Sequence, residues 1–272
     1  MNPLSQIQKQ FWKVISFAAI VFLLFYGFFI EPQRVEVIQW SRQVGLGGMT
    51  LNIAQLSDLH ISKIGQTERK TLEQLKLLKP NIILLSGDVI DHRDSLPTLN
   101  SFLRDLPPSI KIAILGNWEH WSGVDLKALA ATYEKNDVTL LINQCMSLSN
   151  NGFRLSIAGF DDYTAGQPEV DQTLRQCGKE DQIIITEHSP GLFDEAPPTT
   201  LKKIAFSIAG HTHGGQLAIG NKALITPPGS GRFIAGWYQT QWGDLYVSKG
   251  IGTSVIPMRI GARPEITIFE IK

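Results

Sequence analysis

The pattern of apolar and polar positions divides the chain into an apolar front and an alternating remainder. Residues Val14 to Ile30 read VISFAAIVFLLFYGFFI, seventeen residues without a charge. As a helix rising ~1.5 Å per residue, the run reaches roughly 26 Å, near the lower limit for crossing a bilayer core. Phe11 and Trp12 lengthen it, and Trp12 suits a membrane interface. A helix packed on a globular core would normally show a polar face, which this run lacks. A cleaved signal peptide needs a small-x-small site, whereas GFFIEPQ follows Tyr26. The pattern therefore predicts an uncleaved signal anchor within residues 1–31, and residues 32–49 read as a juxtamembrane linker. Lys9 and Lys13 precede the span with no acidic residue beside them. That bias predicts a cytoplasmic N-terminus and an extracytoplasmic remainder.

From Thr50 the pattern alternates. TLNIAQLSD is an apolar run ending in an acidic turn. Leu72, Leu75 and Leu78 repeat at helix spacing over 68–79, with Thr67 as the expected N-cap and Pro80 as the stop. NIILLSGD and KIAILGN are short apolar strands of the kind buried on both faces. Helices are predicted over 95–105 and 122–136. FRLSIAGF, QIIITEH, IAFSIAGH, GDLYVSK and EITIFEI read as later strands. The β-α-β-α-β order predicts an α/β fold with mixed sheets. The Gly- and Pro-rich stretch 226–236 reads as a long loop inside the strand pattern, so 50–272 is one unit.

Composition adds exclusions. The chain has 272 residues, enough for one large domain or two small ones, and 43% are hydrophobic. Its 25 basic and 25 acidic residues cancel. No basic excess argues for nucleic acid and no acidic tail argues for a solvating segment. Cys145 and Cys177 form no CxxC pair and lack zinc-finger spacing. They read as two unremarkable thiols, or as a disulfide if the domain faces an oxidising compartment.

The chemistry lies at the strand ends. Successive apolar runs close on Asp58-Leu59-His60, on Gly87-Asp88-Val89-Ile90-Asp91, and on Gly116-Asn117-Trp118-Glu119-His120. Two more close on Glu187-His188 and Gly210-His211-Thr212-His213. Ligands of open α/β sheets bind beyond the carboxyl ends of strands, so one edge receives Asp, His and Asn side chains from five strands. Imidazole suits Mn, Fe, Zn or Ni, and carboxylate and amide oxygens suit the harder end of that range. A pair of cations ~3.5–4 Å apart needs a bridging anion, which an aspartate supplies, and such a pair activates water for in-line displacement at phosphorus. One DxH or HxH alone is weak; five in series after buried strands are not coincidence.

The series DLH, GDVID, GNWE, an isolated His and GHTHGGQ resembles the calcineurin-like metallophosphoesterases over Leu51 to Gln216. The tail VSKGIGTSVIPMRIGARPEI is similar to the membrane-associated bacterial branch of that family. The resemblance implies a four-layer α/β/β/α sandwich of two mixed sheets, preceded by one transmembrane helix, and a dinuclear site. It implies that Asp58, His60, Asp88 and His213 hold one divalent metal. Asp88 would bridge to a second ion held with Asn117, His188 and His211. The implied activity is hydrolysis of a phosphoester or pyrophosphate bond by a metal-bound hydroxide.

One position departs from the family pattern. Trp118 stands where many members carry a histidine that helps the leaving group, and an indole offers only a hydrogen-bond donor. Asp91, which in the family orients that histidine, is kept. His120, two residues on, either replaces it or is a loop histidine. His92 reads as supporting or surface. Arg232 and Arg259 could clamp a phosphate by bidentate contact or be surface residues. Phe233, Trp237 and Trp242 could line an acyl pocket or be packing. The anchor points to a phosphorylated substrate at the membrane face: phospholipids, lipid-linked sugar phosphates or envelope precursors. A tethered broad phosphomonoesterase and a non-catalytic metal-binding scaffold are the competing readings.

Overall fold

A computed structural model describes residues 3–150, 153–178, 181–197, 204–220 and 222–272. Helix α1 (Pro3–Phe25) runs into a π-turn at Tyr26–Ile30 and a 3-10 turn at Glu31–Gln33. Strand β1 (Glu36–Arg42), β2 (Leu51–Leu56), α2 (Gln66–Leu78), β3 (Ile82–Ser86), α3 (Leu96–Arg104) and β4 (Ile110–Ile114) follow. Then come α4 (Asn117–Trp121), α5 (Leu126–Glu134), β5 (Val138–Leu140), β6 (Gln144–Asn150) and β7 (Phe153–Gly159). Next are α6 (Val170–Gln176), β8 (Gln182–Thr186), α7 (Leu192–Glu195) and β9 (Ile204–Ala209). A small hairpin, β10 (Ala218–Ile219) and β11 (Lys222–Ala223), precedes β12 (Gly236–Thr240), β13 (Gly243–Val247) and β14 (Glu265–Ile271).

Two six-stranded mixed sheets form, ordered β1-β14-β2-β3-β4-β5 and β12-β13-β9-β8-β7-β6. Parallel strands fill the centres, β2-β3-β4-β5 in one and β13-β9-β8-β7 in the other. With both faces covered, the centre strands β3 (IILLS) and β8 (QIIIT) are apolar along nearly their whole length. Leu84 of β3 faces inward, packed with Ile112, Ile157, Ile184 and Phe206 between the sheets. Its neighbours Ile83 and Leu85 face outward onto α2, α3 and α5 through Leu75, Phe102 and Leu129. On the far side, Ile185 and Val247 meet Leu174 of α6 and Phe193 of α7. The order is thus helix, sheet, sheet, helix.

Segment 32–49, expected as linker, contains β1, which pairs in parallel with β14 from Glu36–Glu265 to Arg42–Ile271. Its residues are half-buried or exposed, as befits an edge strand, so its sequence lacks the continuous apolar run of a central strand. The N-cap of α2 also differs from expectation. It is Gly65, whose N–H donates to Glu68 Oε2 at 2.7 Å, while Thr67 Oγ1 bonds Pro32 O instead. The stretch Gln8–Gln33 is long and apolar enough to cross a membrane, and Phe17, Phe22 and Phe25 on it are more than half exposed.

Candidate metal centre

Five strands end at one edge of the sandwich. Asp58 and His60 follow β2, Asp88 follows β3 and Asn117 follows β4. From the second sheet, His188 follows β8, and His211 and His213 follow β9. All seven are buried. Five of them, Asp58, His60, Asp88, His211 and His213, have φ between 45° and 71°. Non-glycine residues enter this left-handed region rarely and at a cost. The chain accepts it where side chains must turn back over the strand ends.

The side chains converge in two groups, Asp58/His60/His213 and Asp88/His188/His211, each of which could hold a cation. In the first, His213 Nε2 lies 3.3 Å from Asp58 Oδ1 and 3.2 Å from His60 Nε2. In the second, His188 Nε2 is 3.1 Å from Asp88 Oδ2, and Asn117 Oδ1 is 2.8 Å from His211 Nδ1. Asp88 Oδ2 also lies 3.8 Å from His60 Nε2, so one carboxylate oxygen faces both groups. His188 and His211 each give one ring nitrogen to a carbonyl, Nδ1 to Ser86 O at 2.8 Å and Nε2 to Pro228 O at 2.7 Å. With the protons assigned there, the other nitrogens present lone pairs to the centre, as metal ligands must. His188 Nε2 has no hydrogen-bond partner although it is buried. Lone pairs facing carboxylate and amide oxygens in a dry site fit divalent cations.

The electrostatics agree. Burial lowers the His213 pKa, with His60 and Arg259 adding to it, down to about 3, so its imidazole is neutral. Burial works against protonation of His188, but the carboxylates of Asp88 and Asp58 outweigh it and raise its pKa. A divalent cation would take the place of that proton.

The backbone here is held from below by a residue quoted in the sequence motif but given no role, Glu119. Its carboxylate accepts from the N–H groups of Asp88 (2.9 Å), Val89 (2.6 Å), Ile90 (3.1 Å) and Gly116 (2.7 Å). Two glycines permit the close approach: a Cβ on Gly87 would stand 2.5 Å from His188 Nδ1, and one on Gly116 would stand 2.3 Å from Asp88 Oδ1.

The other expected site residues fall elsewhere. Asp91 is half-buried beyond the turn and makes no contact with His120. His120, on α4, pairs through Nε2 with Asp161 Oδ1 at 2.8 Å. It does not line the cavity over the ligands, so the expected catalytic pair Asp91/His120 is not assembled. Asp161 was missed, although FRLSIAGFDD ends a strand in acids just as the other motifs do. Arg259 does not line the cavity over the ligands. Fully buried, it donates to the carbonyls of Gly252, Lys249 and Ala262 and sits against His213. Arg232 is an exposed partner of Asp194 at 2.9 Å and stacks on Phe233. Phe233 and Trp242 are packed in the outer core of the second sheet, Trp237 packs by the inter-sheet core, and His92 is exposed. Cys145 and Cys177 form a disulfide, Cα–Cα 5.3 Å, rather than two free thiols.

A cavity of about 420 Å³ opens over the centre. Asp88, Asn117, His211 and His213 form its floor, and Trp118, Trp121, Leu217, Ile225, Val255 and Ile256 are among its walls.

Two mixed sheets facing each other across a core, with an Asp/His/Asn centre on their shared edge, define a metal-dependent phosphoesterase. The chain belongs to the calcineurin-like phosphoesterase family, whose family model matches residues 51–215. It is 32% identical to the metallophosphoesterase YkuE of Bacillus subtilis (strain 168), over 91% of this chain and 89% of that one. It is 27% identical to phosphodiesterase YaeI of Escherichia coli (strain K12), over 79% of this chain and 80% of that one. It is 29% identical to a bovine transmembrane protein with a metallophosphoesterase domain, over 80% of this chain but 52% of that longer protein.

Proposed function

We propose that the chain is a membrane-anchored two-metal hydrolase of phosphoester or pyrophosphate bonds in a membrane or envelope substrate. The observation that carries this is Asp88 Oδ2, which faces His188 of one group and His60 of the other, as a bridging ligand must. Asp58, His60, His213 and Asp88 would hold one ion; Asp88, Asn117, His188 and His211 the second. Two divalent cations there, Mn, Fe, Zn or Ni, would supply an acidified water and charge neutralisation at phosphorus. The protein's part is to keep the His213 imidazole neutral, the carboxylates desolvated and the substrate in place. Trp118 adds no proton donor at the leaving group and instead gives the cavity an aromatic wall. That favours a substrate with an apolar portion over a small soluble phosphate.

The apolar helix is the proposed anchor, with the domain extracytoplasmic. Lys9 and Lys13 favour that orientation, and so does the Cys145–Cys177 bond, since disulfides persist in oxidising compartments. Hydrolysis of bis(p-nitrophenyl) phosphate and of a lipid phosphodiester by purified protein with added Mn²⁺ tests the reading. Absence of metal-dependent turnover on both would overturn it. A C-terminal reporter fusion active only in the cytoplasm would overturn the orientation.

A further inference from the structure

The walls of the cavity continue outward as an exposed apolar rim, and that rim is tied to the end of the N-terminal helix. Beyond residue 30, nine large hydrophobic residues are exposed among the described residues. Six of these nine lie at the cavity mouth or on the hairpin beside it: Trp121, Ile219, Leu224, Ile225, Val255 and Ile256. Val255 is 89% exposed and Ile225 77%. Clustered exposure of this kind marks an interaction surface, whereas single exposed apolar residues are ordinary.

Its position relative to the helix is fixed by hydrogen bonds. The Arg259 N–H donates to Gly27 O at 3.0 Å, and the Ala262 N–H donates to Glu31 Oε1 at 2.9 Å. Gly27 is buried against Met258 and Ile260, so closely that a Cβ would stand 2.8 Å from Met258 Cγ. Ile260 in turn bonds Gln216 O through its N–H, and its carbonyl accepts from the Ala218 N–H. The Gln216 side chain donates to the carbonyls of Ser254 and Ile256. The loop 252–260 and the hairpin segments 216–220 and 222–225 are therefore one knitted unit gripping the helix where it leaves the apolar run. Ile256 is three residues from Arg259, so its Cα is within about 11 Å of the Arg259 Cα even in extended chain.

From this we infer that the rim seats in the lipid bilayer, with the cavity taking the hydrocarbon portion of a lipid phosphate whose headgroup lies over the Asp/His centre. The inference rests on the anchoring reading above. The occupant follows from continuity: a helix that enters a bilayer delivers whatever is locked to its end to the bilayer surface. Apolar loops held there bury their side chains in the acyl boundary, and the favourable free energy grows with the area buried. Among the described residues, the only titratable side chains lining the cavity are the candidate ligands Asp88, His211 and His213. A lipid could thus slide from the leaflet to the centre without its chain crossing water.

The test uses the full chain in vesicles of phosphatidylcholine and phosphatidylglycerol with brominated acyl chains. Leu224→Cys carries an environment-sensitive fluorophore, and Ile110→Cys, at the opposite end of the strands, is the control. The expected result is blue-shifted emission, quenched by bromine, at position 224 and water-like emission at 110. Water-like emission at both overturns the seating, whatever the state of the catalytic reading, because the probe needs no turnover. A second arm compares rates on the lipid in vesicles and on a soluble ester for Ile219→Glu/Leu224→Glu. The lipid-to-soluble ratio should fall at least about tenfold, the order expected for losing two buried aliphatic side chains. An unchanged ratio overturns the substrate route, while absence of wild-type turnover on either substrate would fault the phosphoesterase reading and leave the fluorescence result standing.

Discussion

Replacing Asp88 by Asn changes one charge and almost no volume, and the structure says what that charge does. Asp88 Oδ1 accepts from the Trp118 N–H at 2.8 Å, and the asparagine carbonyl can keep that bond. The new amide nitrogen then stands where Oδ2 was, near His188 Nε2 at 3.1 Å and His60 Nε2 at 3.8 Å. The four backbone N–H groups that donate to Glu119, those of Asp88, Val89, Ile90 and Gly116, are untouched, so the fold should persist. What is lost is the anion between two cation positions. Removing one partner of a buried charge pair costs ~3–5 kcal/mol, because the other is left uncompensated. At ~1.4 kcal/mol per decade, this is about 10²–10⁴ in affinity for the second ion. Titration calorimetry with Mn²⁺ should show two ions bound by the wild type and one by the variant at the same free metal. Turnover on bis(p-nitrophenyl) phosphate should fall by more than about 10²-fold, since the paired cations carry the activation. Two ions bound with unchanged affinity and turnover within about threefold would refute the bridge.

Three further outcomes follow from the placement of side chains. The side-chain bond to Asp161 raises the His120 pKa against the effect of burial, and burial at Asp161 is outweighed by the His120 bond, which lowers its pKa. A raised imidazole contributes stability that is complete below ~6.5 and lost as pH rises through its folded value, and the lowered carboxyl contributes above ~3.9. His120→Ala should therefore lower Tm at pH 6 more than at pH 9. It should leave turnover on activated and unactivated esters within about threefold; a loss confined to poor leaving groups would restore it as a general acid. Cys145→Ser opens a bond across a sequence separation of 32. It should cost about 3–4 kcal/mol on a chain-entropy argument, read as a lower urea midpoint; an unchanged midpoint under reductant would deny the disulfide. Arg259→Met strands the carbonyls of Lys249, Gly252 and Ala262, each worth ~1–3 kcal/mol, so Tm and metal content should both drop. A raised KM with unchanged Tm would instead make Arg259 a substrate clamp.

The central strands and the side chains at their ends were legible because both signals are local. NIILLSGD is an apolar run with a turn and an acid, and its meaning does not depend on the rest of the chain. Strand β1 was not legible, because an edge strand is half-exposed and gains its partner, β14, more than two hundred residues away. The roles of Glu119 and Asp161 were hidden for a different reason. Neither aims at the cations; one collects four backbone N–H groups and the other pairs with His120, and such contacts exist only once three strand ends meet. Arg259 shows the reverse error. An arginine in a Gly- and Pro-rich loop reads as a clamp from sequence, but every contact it makes is to backbone carbonyls or His213, so it is a tie beneath the site.

The backbone strain at the centre explains why the site belongs to the sandwich and not to either sheet. Among the described residues ten non-glycine positions have positive φ, and Asp58, His60, Asp88, His211 and His213 are five of them. At ~1–3 kcal/mol each, such conformations persist only where surrounding structure over-determines them. Here the restraint crosses the gap between sheets. Asp58, on the first sheet, accepts from the His211 N–H at 3.1 and 3.0 Å, and so fixes a turn of the second. His188, on the second, donates to Ser86 O on the first. Gln55 Nε2 joins Ser86 Oγ and Ala209 O, both at 2.9 Å, one from each sheet. The His211 turn is thus held in its costly conformation by Asp58 of the opposite sheet, while the Asp58 and His60 N–H groups donate within their own sheet, to Gly87 O and Asp88 O. Separating the two sheets would therefore release the strained His211 turn and pull the ligand groups apart together.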